Sequence, residues 1–358
     1  MAAQNLSSHN QSLELFNASG LFNISTIFNG STLVNKSNLL NNYTNNMSEE
    51  NSDFYYFLYD ISWPIMTSLG IVGNTLSSVV LFKLSQLSSF YMYLALLAVS
   101  DMAFLINGGI FRWMEMTGIY RPYDTFKRML CSETFVVTLI FSQLSSWITV
   151  AVSIDRYIAV CHPFAVTKYC TRKRAAIYVF VAFVVIAALN LPNICFQWDY
   201  DTATCTYPVF TDDYCFKYRS YIDLLMYGLI PFCFIFTMNS LIVRGLYSAA
   251  GRRRMLTEGK GDNTSSKTVK DSTAKTVTVL FSITACFLLL FVPFIGVSLH
   301  EIVYGYGWHS IPGTLADVCS FLNHAINFIL YGLSGQRFRA MFLETFSFRC
   351  IRRRSPTQ

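Results

Sequence analysis

Charged residues are scarce in this chain of 358 residues. Asp, Glu, Lys and Arg together make up 13% of the sequence and hydrophobic residues 53%. An ordinary soluble domain has about 25% charged residues. This composition excludes an ordinary water-soluble protein, because most of the chain is more stable in lipid than in water.

Two further features are missing. The sequence has no internal repeats with interrupted hydrophobic segments in matching halves, which a secondary transporter would need. It also has no pair of catalytic groups at one membrane depth, since only Asp101 is central in an apolar segment. A non-signalling transporter and an intramembrane enzyme are therefore disfavoured.

Apolar segments of spanning length are what the chain has instead. A helix of about 20 apolar residues crosses the roughly 30 Å of hydrocarbon in a bilayer. The sequence predicts an all-α integral membrane protein, a seven-transmembrane helix bundle over residues 55–334, followed by a short amphipathic eighth helix. The predicted spans are about 57–82, 90–114, 129–161, 174–197, 220–247, 274–304 and 310–333.

The first 54 residues are polar and rich in Asn. A segment this polar does not fold alone, and eight Asn-X-Ser/Thr sequons in it indicate a disordered, N-glycosylated extracellular tail. An Asn- and Ser-rich tract without sugars is the alternative. The sequons begin at Asn5, Asn10, Asn17, Asn23, Asn29, Asn35, Asn42 and Asn46.

The distribution of positive charge agrees with an outside tail. In that orientation 20 of the 27 Lys and Arg residues lie in the inner loops and the C-terminal segment, as the positive-inside rule requires. Residues 335–358 are expected to form an amphipathic helix along the inner leaflet and then a basic cytoplasmic tail. Cys350, flanked by arginines, is a candidate palmitoylation site or else a free cytosolic thiol.

One group of polar residues lies inside the predicted spans. Asp101 is surrounded by apolar residues, and a carboxylate there is costly unless it has a partner. Ser145, Asn323 and Asn327 lie at compatible depths on the third and seventh spans. Together these side chains predict a hydrated cluster able to hold a sodium ion, or alternatively a hydrogen-bonded cluster that only joins the helices.

A set of short motifs, in order along the chain, resembles the rhodopsin-like (class A) G-protein-coupled receptors from about residue 57 to 350. The NFILYGLSGQRFR ending of the array and the PFCFIFTMNSLIV run of the fifth span are similar to invertebrate neuropeptide receptors of the FMRFamide and myosuppressin type. The motifs are Gly73-Asn74, the LxxxD stretch ending at Asp101, Cys131, Asp155-Arg156-Tyr157, Pro163-Phe164, Pro192, Pro231, Pro293, and Asn327-Phe328-Ile329-Leu330-Tyr331 followed by Phe338.

The chain departs from the family pattern at several switch positions. Phe291 stands where a tryptophan is usual, two residues before the sixth-span proline, and Phe328 replaces the seventh-span proline. Asn239 replaces the fifth-span tyrosine, and the fourth-span tryptophan is absent. These departures concern the details of the switch and leave the architecture unchanged.

The resemblance implies how the inner end signals. Arg156 is expected to pair with Asp155 at rest and to move toward the G protein on activation. Thr273 stands where some relatives carry an acid that restrains Arg156, so we expect a weaker restraint and some basal activity. Pro293 bends the sixth helix and provides a hinge. The predicted coupling and switch residues are Asp155, Arg156, Tyr157, Phe164, Pro293, Asn327 and Tyr331.

The resemblance also implies the partners. We expect a heterotrimeric G protein, arrestin and receptor kinases on the inner side, an extracellular ligand on the outer side, and no nucleic acid. No cofactor is expected apart from an allosteric sodium ion. The location expected is the plasma membrane, with several crossings. A disulfide is implied from Cys131 to the second outer loop, with Cys205 favoured because it leaves room for a loop over the pocket, and Cys215 as the alternative.

The nature of the ligand is predicted from the outer ends of the spans. Thr138 stands where amine receptors of the family carry Asp, and the seventh span has no Lys for a retinal Schiff base. Spread carboxylates among aromatic residues favour a cationic, amidated peptide of the Arg-Phe-amide kind. A lipid or small chemosensory ligand is the alternative, and Glu115 and Glu301 are alternatively solvated loop acids. The predicted ligand-binding residues are Asp317, Asp223, Glu133, Glu301, Glu115, Thr138 and Phe291.

Overall fold

A computed structural model of the chain describes residues 61–110, 113, 124–195, 197–199, 204–206, 212–257, 264–304 and 311–346. The tail predicted at residues 1–54, with its eight sequons, lies outside these ranges, as do Glu115 and Cys350. The predictions made for them stay predictions.

Eight helices and one hairpin follow one another in the described residues. Helix α5 is one helix with a π-helical segment inside it, and α7 is in two parts. The bounds are α1 Trp63–Leu84, α2 Ser89–Phe104 with a π-helical turn Leu105–Ile110, α3 Asp124–Cys161, α4 Arg172–Asn190 with a 3-10 turn Leu191–Cys195, β1 Gln197–Asp199, β2 Thr204–Thr206, α5 Asp212–Ile222, Asp223–Leu229 (π) and Ile230–Thr257, α6 Thr264–Tyr304, α7 Ile311–Ala325 and Asn327–Ser334, and α8 Gln336–Phe346. Between α3 and α4 lie a 3-10 turn Pro163–Ala165 and a one-turn helix Val166–Tyr169.

The predicted spans coincide with α1 to α7. By length and composition, six of the described helices are long and apolar enough to cross a membrane, at 63–84, 89–110, 134–161, 172–193, 217–248 and 276–304. The seventh, α7, is divided at Ile326 into parts of 15 and 8 residues. Each part alone is too short, although residues 311–334 together are at least as long as the shortest of the other spans, which have 22 residues. The prediction of a seven-helix membrane bundle is confirmed.

The interruption of α7 lies where α1 packs most closely against it. The Asn74 side-chain amide donates to the backbone carbonyl of His324 at 2.9 Å, so a side chain of α1 engages the backbone at the break, as buried backbone groups in lipid require. A Cβ atom on Gly73 would lie 2.8 Å from Cβ of Phe328. Glycine therefore permits the close helix contact that is common between membrane helices.

The predicted eighth helix is present as α8. The Phe338 side chain is buried, with its ring 5.6 Å from that of Tyr331 and 6.0 Å from that of Phe328. Arg339 Nη1 donates to the carbonyls of Gly332 and Leu333 at 2.8 and 2.7 Å. An arginine that binds the last carbonyls of α7 ends that helix favourably, and it fixes where α8 begins.

The short hairpin was not predicted from the sequence. Strands β1 and β2 pair antiparallel, with Gln197 opposite Thr206 and Trp198 opposite Cys205. Both strands contact α3. The all-α prediction therefore holds for the bundle, and the loop between α4 and α5 adds three residues of strand on each side. Strands this short are set by the contacts of the loop more than by their own sequence.

Candidate functional site

The outer part of the bundle holds a half-buried carboxylate on α5. Asp223 begins the π-helical segment of α5, and its Oδ1 accepts a hydrogen bond from Gln143 Nε2 of α3 at 2.9 Å. Its Oδ2 lies 3.7 Å from Nε of Arg219, four residues earlier on the same helix. The predicted ligand carboxylate is thus already paired with a cation and an amide of the chain itself.

Gln143 extends this contact to α4. Its Oε1 accepts from Asn190 Nδ2 at 2.8 Å, and Asn190 Oδ1 accepts from Asn193 Nδ2 at 3.0 Å. A polar network therefore joins α3, α4 and α5. Gln143, Asn190 and Arg219 were not among the predicted residues. For Arg219 a signal exists in the sequence, because an acid four residues after a basic residue on a helix forms an ion pair.

The other predicted ligand residues divide into three groups. Glu301, on α6, is buried at 7% exposure and accepts from the Ser220 hydroxyl at 3.3 Å, which is not the setting of a solvated loop acid. Asp317 is half-buried on α7. The side chain of Glu133 and all of Glu115 lie outside the described residues, so the structure brings together part of the predicted set only.

Thr138 has a packing role in the structure. Its hydroxyl donates to the Thr134 carbonyl at 2.7 Å, a bond within α3. A Cβ atom on Gly108 would lie 2.9 Å from Thr138 Cγ2, so α2 approaches α3 closely at this residue. A threonine whose hydroxyl bonds its own backbone offers a ligand a methyl group and no charge.

Aromatic rings form a cluster beneath Asp223. Phe291 is fully buried and stacks on Phe287, with ring centroids 4.1 Å apart. The ring of Tyr227, one turn below Asp223 on α5, lies edge-on to Phe291 at 4.6 Å and to Phe294 at 4.9 Å. Edge-to-face pairs of this kind are specific contacts. Tyr227 therefore connects the part of α5 that contains Asp223 to α6.

Tyr227 also reaches α7 through its hydroxyl. Tyr227 Oη lies 2.6 Å from Ser320 Oγ and 2.9 Å from His324 Nε2. The other ring nitrogen of His324, Nδ1, lies 2.7 Å from Asp101 Oδ1. His324 and Asp101 are both fully buried. A continuous set of hydrogen bonds thus joins α5, α7 and α2.

Asp101 is the centre of the predicted polar cluster. Its Oδ1 also accepts from Ser145 Oγ at 2.6 Å, and its Oδ2 accepts from Asn327 Nδ2 at 2.7 Å. Asn323 is buried nearby, but none of the hydrogen bonds described at Asp101 comes from it. His324 takes that place and was not predicted. The spacing alone lets either residue share a face with Asn327, since both lie three or four residues before it.

The inner end of α3 is held in a closed arrangement. Arg156 Nε donates to Asp155 Oδ2 at 3.0 Å, and a second guanidinium nitrogen contacts the same oxygen. Asp155 Oδ1 accepts from Ser89 Oγ of α2 at 2.6 Å. The Arg156 guanidinium also lies 4.6 Å from the centre of the Phe90 ring, a cation–π distance. Two residues of α2 therefore help to keep the Asp155–Arg156 pair together. The side chain of Thr273 lies outside the described residues.

The remaining switch residues differ in exposure. Phe164, in the turn after α3, is 98% exposed, whereas Tyr331 is buried against α8. Tyr157 bonds His162 across 3.2 Å. Pro293 lies inside α6, two residues after Phe291 of the Phe287–Phe291 stack. An exposed aromatic side chain such as Phe164, in the turn that follows α3, is suited to binding a partner at the inner face.

Cys170, in the loop after α3, adjoins the same ion pair. Its Sγ donates to the Asp155 backbone carbonyl at 3.7 Å. Burial, reinforced by the nearby Asp155 carboxylate, raises the pKa of the Cys170 thiol to about 12. The thiol is therefore neutral at physiological pH.

The sequence matches the family model of the 7 transmembrane receptors of the rhodopsin family over residues 73–331. The chain belongs to the rhodopsin family of seven-transmembrane receptors. Family membership identifies it as a multi-pass signalling receptor and not an enzyme, as predicted.

Several relatives of this receptor are receptors for peptides or hormones by their names. The FMRFamide receptor of Drosophila melanogaster is 26% identical over 86% of this chain and 57% of its own length. The sex peptide receptor of the same fly is 24% identical over 85% of this chain and 76% of its own. The human thyrotropin-releasing hormone receptor is 27% identical over 82% of this chain and 78% of its own. This receptor thus spans little more than half the length of the FMRFamide receptor.

Proposed function

We propose that this receptor binds an extracellular peptide with a cationic, aromatic and amidated end, of the Arg-Phe-amide kind. We further propose that it activates a heterotrimeric G protein by outward movement of the inner part of α6. It acts in the plasma membrane with its Asn-rich tail outside. Arrestin and receptor kinases would bind the same inner face. The names of the relatives support a peptide ligand, and the FMRFamide receptor supports this class of peptide.

The half-buried Asp223 carboxylate, 14% exposed, is the observation on which the proposal rests. It is held by Gln143 and by Arg219 at 3.7 Å, a distance too long for a good hydrogen bond. A ligand guanidinium can make two short parallel bonds to a carboxylate. Such a group would replace the loose pairing with Arg219 and gain affinity by doing so. Glu301, buried on α6, is a second acid for the same cationic end.

The signalling step follows from the contacts below Asp223. A ligand that moves this part of α5 also moves Tyr227, whose ring lies against Phe291. Phe291 is two residues before Pro293, where the helix lacks one backbone hydrogen bond and bends more easily. The inner arm of α6 then swings outward, and Arg156 leaves Asp155 to contact the G protein. Two packings of one bundle, with the ligand favouring one, are sufficient for this change.

The experiment is a charge-pairing test between peptide and receptor. Amidated peptides ending in Arg-Phe, and versions with citrulline in place of Arg, are applied to cells expressing wild-type receptor or Asp223→Asn. Removal of one partner of a buried charge pair costs about 3–5 kcal/mol, so potency should fall by about 10²-fold or more. Replacing Arg by citrulline in the peptide should lower its potency at the wild-type receptor by the same factor. The same replacement should change its potency at D223N little.

A matched control separates this result from a general loss of folding. Glu344→Gln changes an exposed acid on α8 and should leave potency unchanged. Equal losses from citrulline in wild type and D223N would contradict the pairing. A response to lipids, with none to any peptide, would support the alternative ligand class.

We also propose that Cys131 pairs with Cys205. Strand β2, which contains Cys205, contacts α3, the helix that contains Cys131, whereas Cys215 lies on the first segment of α5. Non-reducing peptide mapping of purified receptor tests this, and a Cys131–Cys215 peptide would contradict it. The palmitoylation of Cys350 and the glycosylation of the tail are proposals to be tested by the same mapping.

A further inference from the structure

The cluster predicted to hold sodium contains an imidazole. Both ring nitrogens of His324 are engaged, Nδ1 at 2.7 Å from Asp101 Oδ1 and Nε2 at 2.9 Å from Tyr227 Oη. The ring is fully buried, and the Phe104 ring lies 4.0 Å from it. The imidazole is therefore a fixed part of the cluster, held on two polar edges and covered on one face.

The side chains present do not fit a sodium ion. Hard cations bind several oxygen atoms at short distance. Asp101 Oδ1 already accepts from Ser145 and faces His324, and Oδ2 accepts from Asn327. A contact of 2.7 Å between Nδ1 and Oδ1 requires a proton between them, because two lone pairs would repel each other. A cation approaching this carboxylate would meet N–H and O–H groups that point at it.

The partners of the carboxylate lead to the same conclusion. A carboxylate buried inside a membrane span needs polar partners. Asp101 has three from the chain itself, Ser145 at 2.6 Å and His324 and Asn327 at 2.7 Å each. A sodium ion at this site would compete with these three contacts for the two carboxylate oxygens.

We propose that His324 takes the place of the cation, so that the polar core of this receptor is closed by an imidazole and does not bind sodium. The imidazole also does what a small ion cannot, because it spans from Asp101 on α2 to Tyr227 on α5. Since Tyr227 is one turn from Asp223, the state of the core is linked to the outer pocket by hydrogen bonds within the chain. This inference stands whatever ligand the receptor binds.

The test measures thermal unfolding of the purified full-length receptor in detergent. Samples contain about 0.15 M NaCl, KCl or N-methyl-D-glucamine chloride, so that ionic strength is constant and close to physiological. Wild type should unfold at the same temperature in all three salts. His324→Ser replaces the imidazole by an oxygen ligand and leaves Asp101 accessible. The unfolding temperature of H324S should rise by roughly 2 °C or more in NaCl but not in the other two salts. The double variant H324S with Asp101→Asn should not show this rise.

Each outcome decides the question. A rise in sodium for wild type that D101N abolishes would overturn the proposal. No sodium effect in either wild type or H324S would overturn it as well, because His324 would then not occupy a cation site. If H324S does not fold, His324→Asn supplies a carbonyl oxygen on a side chain closer in volume to histidine. The comparison of wild type with D101N is decisive in either case.

Discussion

Replacing Tyr227 by Phe tests whether the bond between α5 and α7 holds the receptor at rest. The substitution keeps the ring against Phe291 and Phe294 and removes only the hydroxyl, which bonds Ser320 at 2.6 Å and His324 at 2.9 Å. The loss leaves two buried polar groups with one partner fewer, at a cost of about 1–3 kcal/mol each where no other partner is available.

The cost falls on the packing in which these bonds exist. Arg156 is paired with Asp155 in that same packing, which is the arrangement that we predicted for the receptor at rest. If about 2–4 kcal/mol of resting-state stabilisation is lost, the ratio of active to resting receptor rises by about 30-fold to several hundred-fold. Basal signalling should therefore increase, and the resting receptor should unfold at a lower temperature.

The assay is ligand-free G-protein activation, normalised to receptor at the cell surface. Tyr221→Phe is the matched control, since Tyr221 lies on the same helix and is 50% exposed, and it should behave as wild type. If Y227F lowered the unfolding temperature but left basal signalling unchanged, the bond would stabilise both packings equally. That result would refute its role in the switch.

Three other predictions concern the inner end. Ser89→Ala removes a charge-assisted bond to Asp155 and should raise basal signalling by about 10-fold, whereas Ser88→Ala should not; equal effects would rule out a specific role. Phe164→Ala should abolish G-protein activation with ligand affinity and unfolding temperature unchanged, because the side chain is 98% exposed; lost affinity would indicate a folding role instead. A pKa of about 12 keeps Cys170 protonated below that pH, so maleimide labelling at neutral pH should be about 10³-fold slower than for an ordinary thiol. It should speed up as pH rises, and fast labelling at neutral pH would contradict this.

The long, strongly apolar segments were predictable because the requirement that makes them helical lies within each segment. Any stretch of sufficient length and low charge must form a helix in lipid, where no water satisfies the backbone. The spans begin and end within a few residues of their predicted places, as α3 shows at Cys161. The exception is α7, which is divided at Ile326. Asn74 of α1 donates a hydrogen bond to its backbone at His324, and no local pattern in α7 predicts that contact.

The candidate site was predictable only in part for the same reason. Asp101, Ser145 and Asn327 stand out in the sequence because polar groups in apolar spans need partners, and the structure brings these three together. Asn323 and His324 satisfy the helical spacing equally well. Which of them faces Asp101 depends on the rotation of α7 against α1 and α2, and this rotation is set by packing.

The sequence by itself therefore determined that this protein is a bundle of membrane helices, with an ion pair at one end and acids at the other. The energy of burial and the spacing of residues along one helix are sufficient for that. Only the tertiary structure decided that Asp223 has Gln143 of α3 as a partner, and that His324 joins Asp101 to Tyr227. Those bonds are between residues far apart in the chain, whose meeting depends on how each rigid helix is rotated and shifted against its neighbours.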